Sequence, residues 1–368
     1  MKTVVISAIN IYSSGPLVIV RDFLSALVRG EAFLRGDMKI NLFCHSTEHY
    51  TDFSSENILF IPKPLSRKNW FIRLFYEYFW FWWWSIFNKP DYWISLHDLT
   101  PNVRAEHRIV YCHQAAPFYN GKQTWRYAPG FEMFRRFYKY FYRLNLWKND
   151  YIVVQQQWLR DAFVEQFGCK PGKIIVARPE VDQVQTPTTA LEKSEPSVAS
   201  LVFVSFPRVF KNHEILLKAM RSLSAAPIKL FLTFAGTENA YAQKLAKEAS
   251  VLKNVELTTF LSREKLFQLY ASVDAMVFPS KLETWGLPLS EFRRFNKPIF
   301  AADLPYAKET LSGYEQACYF NPDNPAELAG LLEKFAVNHE FIPVRSDTVY
   351  APPFTQSWDE LINFIGLA

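Results

Sequence analysis

Seven short apolar runs punctuate the first half of the chain: TVVISA, KINLFC, ILFI, YWISL, RIVYCH, YIVVQ and KIIVAR. They are rich in Val, Ile and aromatics with little polar alternation, as parallel strands covered by helices on both faces must be. Six more lie beyond residue 199: LVFVSF, IKLFLTFAG, NVELTTF, DAMVFP, KPIFAA and ACYF. Helical patterns separate the runs in both series. Between the series, residues 183–199 turn polar and proline-containing, as a linker does. This pattern predicts an α/β protein of two Rossmann-like domains, residues 1–185 and 199–353, facing each other across a central cleft. The last segment, residues 354–368, reads as one amphipathic helix packed back onto the first domain.

A length of 368 residues accommodates two such cores, and 49% hydrophobic residues argue against disorder. Cys44, Cys112, Cys169 and Cys318 are scattered without a pair at ligand spacing, so reduced, buried thiols are expected and no metal site. The start, MKTVVISAIN, has no signal-peptide pattern and reads as a strand from residue 2, which suggests a cytoplasmic protein. The net charge of +5 is uneven: residues 1–185 hold 23 Lys/Arg against 16 Asp/Glu, and residues 120–150 alone hold seven against two. A local basic patch of this kind points to an anionic surface or ligand and not to general nucleic-acid binding.

The stretch PSKLETWGLPLSEF places Glu283 and Glu291 on either side of a Gly-Leu-Pro. Pro288 suits the first turn of a helix running through LSEFRRF, whose start would leave N–H groups near Gly286 and Leu287 facing outward beside a positive dipole end. That is an arrangement for phosphate. Two carboxylates beside a phosphate fit if they hold neutral hydroxyls flanking it, the pattern of a nucleotide sugar. Their plain alternative is a first-turn helix acid and a solvated loop acid. In LVFVSFPRVFKNHEILL, Arg208 and Lys211 follow the first strand of the second domain, where such sheets bind ligands. As plain surface charges they would need no ligand. Gly15 and Pro16 mark a strand-to-helix turn, His113 ends the RIVYCH run, and His97 and Asp98 end another. A structural role is the plain alternative for each.

Taken in order, YCHQAAPF, SFPRVFK and FPSKLETWGLPLSEF resemble the retaining GT-B glycosyltransferases of the group 1 family, family four, with Glu283 and Glu291 matching its E-x7-E motif. The text of YCHQAAPF and SLHDLTPN is similar to members from bacterial surface-polysaccharide synthesis, such as O-antigen, lipopolysaccharide and capsule enzymes. The resemblance covers essentially the whole chain. It implies a hexosyltransferase in which Arg208 and Lys211 bind the donor diphosphate and Glu291 the ribose. Glu283 would touch the donor sugar, Gly286, Leu287 and Gly15 would offer backbone to phosphate, and His113 would stand at the reacting face. His97 and Asp98 would be possible acceptor or sugar contacts. The spacing of the basic pair is shorter than in many members, and the N-terminal loop has one glycine where many have several. No Asp-x-Asp occurs, in keeping with a metal-free reaction and no cofactor beyond the nucleotide-diphosphate sugar itself.

Residues 69–87, NWFIRLFYEYFWFWWWSIF, hold twelve aromatics, interrupted by Arg73 and Glu77. They are too short and too interrupted to span a bilayer comfortably, which takes roughly 20 apolar residues. Trp and Tyr favour the headgroup zone, so an interfacial segment through Trp82, Trp83 and Trp84 is expected. FRRFYKYFYRLNLW repeats the mixture with Arg135, Lys139 and Arg143 at i, i+4 spacing. The alternative is that both segments pack inside the first domain. The expected partners are a nucleotide-sugar donor, a lipid-linked oligosaccharide acceptor and an anionic membrane, reached peripherally at the inner face of the cytoplasmic membrane. Two rival functions share the fold: a non-catalytic nucleotide-sugar or glycan-binding protein, and a sugar-nucleotide epimerase.

Overall fold

A computed structural model describes residues 1–12, 14–119, 128–178, 197–259 and 261–368. The chain divides into two compact units. The first comprises Met1–Phe118, Arg135–Glu180 and Tyr350–Ala368; the second comprises Tyr119–Phe134 and Val181–Val349. Most of the segment expected as a linker, residues 183–196, lies outside the described residues.

The first unit is built on strands β1 (Lys2–Ala8), β2 (Met38–Cys44), β3 (Ile58–Pro62), β4 (Tyr92–Ser95), β5 (His107–Cys112), β6 (Tyr151–Val154) and β7 (Ile174–Ala177). The second holds β8 (Ala199–Phe203), β9 (Ile228–Leu232), β10 (Val255–Leu257), β11 (Ala275–Phe278), β12 (Ile299–Ala302) and β13 (Ala317–Phe320). A last strand, β14 (Phe354–Thr355), returns to the first sheet. Among the described residues the sheet orders are β14-β7-β6-β5-β4-β1-β2-β3 and β10-β9-β8-β11-β12-β13. Every pairing is parallel. Such strands need helices on both faces, which explains their uninterrupted apolar runs.

On one face of the first sheet, the helix Ser14–Arg29 and the C-terminal helix Trp358–Phe364 share a core, with Trp358 5.5 Å from Phe23 and 5.7 Å from Tyr111. On the other face Phe43, Phe81 and Trp93 pack together, joined by Tyr76, Trp80 and Trp84.

Two features differ from the sequence reading. Tyr119–Phe134 falls in the second unit, because Phe131 and Tyr119 pack against Phe210 at 5.0 and 6.4 Å. The C-terminal segment is not one helix: Phe354 and Thr355 pair with Val176 and Ala177 before the helix starts at Trp358. Ser357 caps that helix by accepting from Glu360 N, and Glu360 reaches back to the Gln356 N–H.

Candidate active site

In the second unit, two loops at the C-terminal ends of β8 and β11 are stitched together. The turn after β8 carries Arg208, a short 3-10 stretch Val209–Lys211, and Asn212 at φ +58°. Asn212 Nδ2 donates to the carbonyls of Pro279 (3.3 Å) and Pro322 (2.8 Å), and Lys281 N donates to Phe210 O at 2.8 Å. These bonds hold the SFPRVFK loop against the PSKLE loop. In consequence Lys211 Nζ donates to Glu283 Oε1, with both side chains largely buried. Arg208 stays exposed, its guanidinium over Phe206 at 5.5 Å and Phe210 at 6.0 Å.

Beyond Glu283 the chain turns at Gly286, φ +82°, where an added Cβ would lie 3.3 Å from Leu289 Cδ1. Both the left-handed backbone and that approach call for glycine. The turn is anchored from below. Trp285 Nε1 donates to Ser290 Oγ (2.8 Å), Thr310 Oγ1 donates to the Trp285 carbonyl, and Tyr306 O–H donates to Ser280 O (2.6 Å). The following helix is only Leu287–Phe292, with Leu287 and Pro288 in its first turn; Arg293–Phe295 tightens to 3-10. The sequence led us to expect one helix through that stretch. Glu291 lies half-buried there and accepts from Tyr270 O–H at 3.4 Å. Burial raises its carboxyl above the ordinary range, against the opposing pull of Arg263 and Arg294. Tyr270 and Arg263 lie 21 and more residues upstream, so no local spacing announces them.

In the first unit, His113 follows β5 and its ring is mostly covered. Gly15 lies in the first turn of the helix after β1, a residue inside its start. His97 and Asp98, named as possible acceptor or sugar contacts, are interior groups. His97 is 0% exposed, its Nε2 is 2.8 Å from Ser7 Oγ, and burial drives its pKa down to about 3, so the ring is neutral. Asp98, at φ +75°, uses Oδ1 to accept the N–H groups of His113 (2.7 Å) and Gln114 (2.9 Å) and Tyr142 O–H (3.0 Å). Its Oδ2 accepts from Tyr138 O–H at 3.3 Å and lies 3.5 Å from His113 Nε2. A carboxylate so engaged shapes the turn bearing His113; its oxygens are already committed.

The aromatic segment is a continuous helical rod: α-helical at Trp70–Phe75, a π turn at Tyr76–Trp80, then α-helical over Phe81–Asn88. One side is core, where Trp84 meets Phe43 at 5.2 Å and Trp93 at 6.1 Å. The opposite side exposes Phe71, Phe75, Phe79, Trp83 and Phe87, each four residues from the last. Along a pure α-helix a four-residue step drifts by roughly 40°; the wider π turn offsets that drift and keeps the stripe on one side. Of the three tryptophans expected at an interface, therefore, Trp83 is exposed, Trp82 is half-covered and Trp84 belongs to the core edge. The basic helix Pro129–Arg143 runs alongside, Trp70 stacking on Phe141 at 5.5 Å. It exposes Arg136, Phe137, Lys139, Tyr140 and Arg143, while Arg135 is half-buried. Among the described residues no helix is long and apolar enough to cross a membrane.

Two parallel-sheet α/β units of this topology define a GT-B architecture. It is shared by the solved structure of WaaG, a glycosyltransferase involved in lipopolysaccharide biosynthesis, with a TM-score of 0.63 at 14% identity over 90% of both chains. Residues 191–343, which lie within the second unit, match the model of the family described as Glycosyl transferases group 1. The serotype-specific mannosyltransferase WbdA of Escherichia coli is 28% identical over 155 residues, 41% of this chain and 19% of its own length. The O-antigen chain mannosyltransferase RfbU of Salmonella typhimurium is 24% identical over 234 residues, 62% of this chain and 60% of its own. The chain thus matches less than two thirds of either relative.

Proposed function

We propose that this protein transfers a hexosyl group from a nucleotide-diphosphate sugar to a saccharide acceptor carried on a lipid, in the synthesis of a bacterial surface polysaccharide. The observation that supports this most is the stitching of the β8 and β11 loops, which brings Arg208, Lys211, Glu283 and the Gly286 turn together inside a matched group 1 domain. In this reading Arg208 and Lys211 neutralise the donor diphosphate, the backbone at Gly286 and Leu287 approaches its phosphates, Glu291 takes the ribose hydroxyls and Glu283 the donor sugar. Gly15 offers backbone, and His113 serves the reacting face.

Transfer breaks the bond between C1 and the diphosphate oxygen and forms one between C1 and the acceptor oxygen. We assign attack from the leaving-group side, the departing phosphate oxygen taking the acceptor's proton, which retains configuration at C1. Charge builds on the leaving diphosphate, and two fixed cations lower that barrier without requiring a metal. Because two relatives bear mannosyltransferase names, a mannosyl nucleotide is the first donor to test.

The membrane is proposed as a partner on a separate observation. The exposed aromatic stripe from Phe71 to Phe87 adjoins a helix exposing Arg136, Lys139 and Arg143, and aromatic burial with basic charge suits an anionic bilayer surface. The protein would sit there peripherally, at the inner face of the cytoplasmic membrane. Incubating purified protein with labelled nucleotide sugars and lipid extract tests the whole reading. Label entering lipid supports transfer, an isomerised free nucleotide sugar indicates an epimerase, and tight donor binding without either product indicates a non-catalytic binder.

A further inference from the structure

The two helices that expose aromatics at the surface also send polar groups inward to one turn. Tyr142, on the buried side of the basic helix, places its hydroxyl 3.0 Å from Asp98 Oδ1 and 3.0 Å from the Gln114 carbonyl, sharing one proton between two acceptors. Tyr138, one turn earlier, reaches Asp98 Oδ2. From the aromatic helix, Arg73 Nη2 donates to the His97 carbonyl at 3.0 Å while its Nε donates to Glu77 Oε1 at 2.8 Å. Asp98 passes this restraint on, because the N–H groups of His113 and Gln114 both donate to its Oδ1. Helical segments from two distant parts of the sequence therefore converge on His97–Asp98, and that turn holds the backbone of His113.

We propose that Tyr142 is a positioning residue for His113, and that seating the aromatic and basic helices on a membrane tightens the His113–Gln114 segment through Tyr142 and Asp98. The inference rests on the membrane reading above and adds a regulation to it. The geometry argues for coupling because the same turns of the basic helix expose Phe137, Tyr140 and Arg143 and bury Tyr138 and Tyr142. A helix held by its outer face cannot roll, and a roll is the motion that would carry the Tyr142 hydroxyl away from Asp98. Tyr142 touches no reacting atom in this scheme.

Tyr142→Phe keeps the ring and removes the hydroxyl. Hydrogen exchange of the peptide spanning residues 111–118 would be followed with and without vesicles containing phosphatidylglycerol, alongside sedimentation and transfer kinetics. In the wild type the vesicles should slow exchange of this peptide. In Tyr142→Phe the peptide should exchange about fivefold to tenfold faster, corresponding to one lost hydrogen bond. It should no longer respond to vesicles that the variant still sediments with. Turnover should fall by a similar factor while donor affinity stays unchanged. A vesicle response equal in the two proteins, or absent from a wild type that sediments, overturns the coupling and leaves the membrane reading standing. Failure of the wild type to sediment overturns both. Should Tyr142→Phe not fold, Tyr138→Phe carries the same expectation in weaker form.

Discussion

Lys211 and Glu283 form an ion pair across two loops of the second unit, and both side chains are largely but not fully covered, 18% and 13% exposed. A cation held there is aimed by the loops and does not depend on its own flexible stem. If it stabilises charge on a departing diphosphate, Lys211→Ala should lower turnover by roughly 10²–10³-fold, and Arg208→Ala by a similar factor. Because Lys211 and Glu283 are partners, the double variant Lys211→Ala/Glu283→Ala should lose less than the product of the two single losses. Multiplicative losses in a double-mutant cycle would mean that the pair does not act as a unit. Activity should survive EDTA.

Glu291 should report on the nucleotide. Charge-assisted hydrogen bonds to ribose hydroxyls contribute roughly 1.5–3 kcal/mol each, so Glu291→Ala should weaken free nucleotide binding by at least about tenfold. Since burial raises the carboxyl, wild-type affinity should begin to fall at a higher pH than an ordinary glutamate would cause as the solution is acidified. Glu291→Gln should lack that dependence. Calorimetric titration across the acid range measures both. Identical profiles would remove Glu291 from the ribose.

The aromatic rod separates surface from core residue by residue. Replacing Phe75, Phe79 and Trp83 with Ser removes exposed rings only, so the variant should keep its melting temperature within a few degrees yet lose sedimentation with anionic vesicles. Trp84→Ser instead removes a partly buried ring packed on Phe43 and Trp93 and should destabilise measurably, by less than the roughly 3–5 kcal/mol of a full core truncation. High salt alone should not strip the wild type from vesicles, because aromatic burial is not screened. A surface triple variant that sediments normally would contradict the membrane reading.

Glu77 offers a test of the buried network independent of catalysis. Burial pushes its carboxyl from the ordinary 4.5 up to about 7 despite the adjoining Arg73. The folded state therefore keeps this proton through a range in which the unfolded chain releases it. The stability contributed is full below about pH 4.5 and is lost as pH rises toward 7. Glu77→Gln cannot titrate, so the stability of wild type relative to the variant should decline across that window. A difference that stays constant with pH would place the Glu77 proton elsewhere.

The strands and the GT-B architecture were legible because parallel strands leave continuous apolar runs, and all thirteen quoted runs contain one. β14 was not, since two residues carry no periodicity, although the Ser357 and Glu360 capping signal was present to stop the helix short of it. The glutamates, Arg208 and Lys211 were legible as a motif, but the Pro279, Phe210 and Asn212 bonds that join their loops depend on tertiary approach. His97 and Asp98 misled for a physical reason. A polar pair at a strand end looks the same in sequence whether it faces a ligand or satisfies an interior turn. In the aromatic segment, counting rings could not tell Trp83 from Trp84, because the π turn that sets the stripe is invisible to a 3.6-residue period.

The most direct measurement is single-turnover transfer of a labelled sugar from a nucleotide sugar, a mannosyl nucleotide first, to lipid-linked saccharide, comparing wild type with Glu283→Ala. The account predicts label in the lipid fraction with retained configuration at C1. Glu283→Ala should bind free nucleotide as well as wild type does while losing most of the transfer. No transfer from any nucleotide sugar, or full transfer by Glu283→Ala, would contradict it.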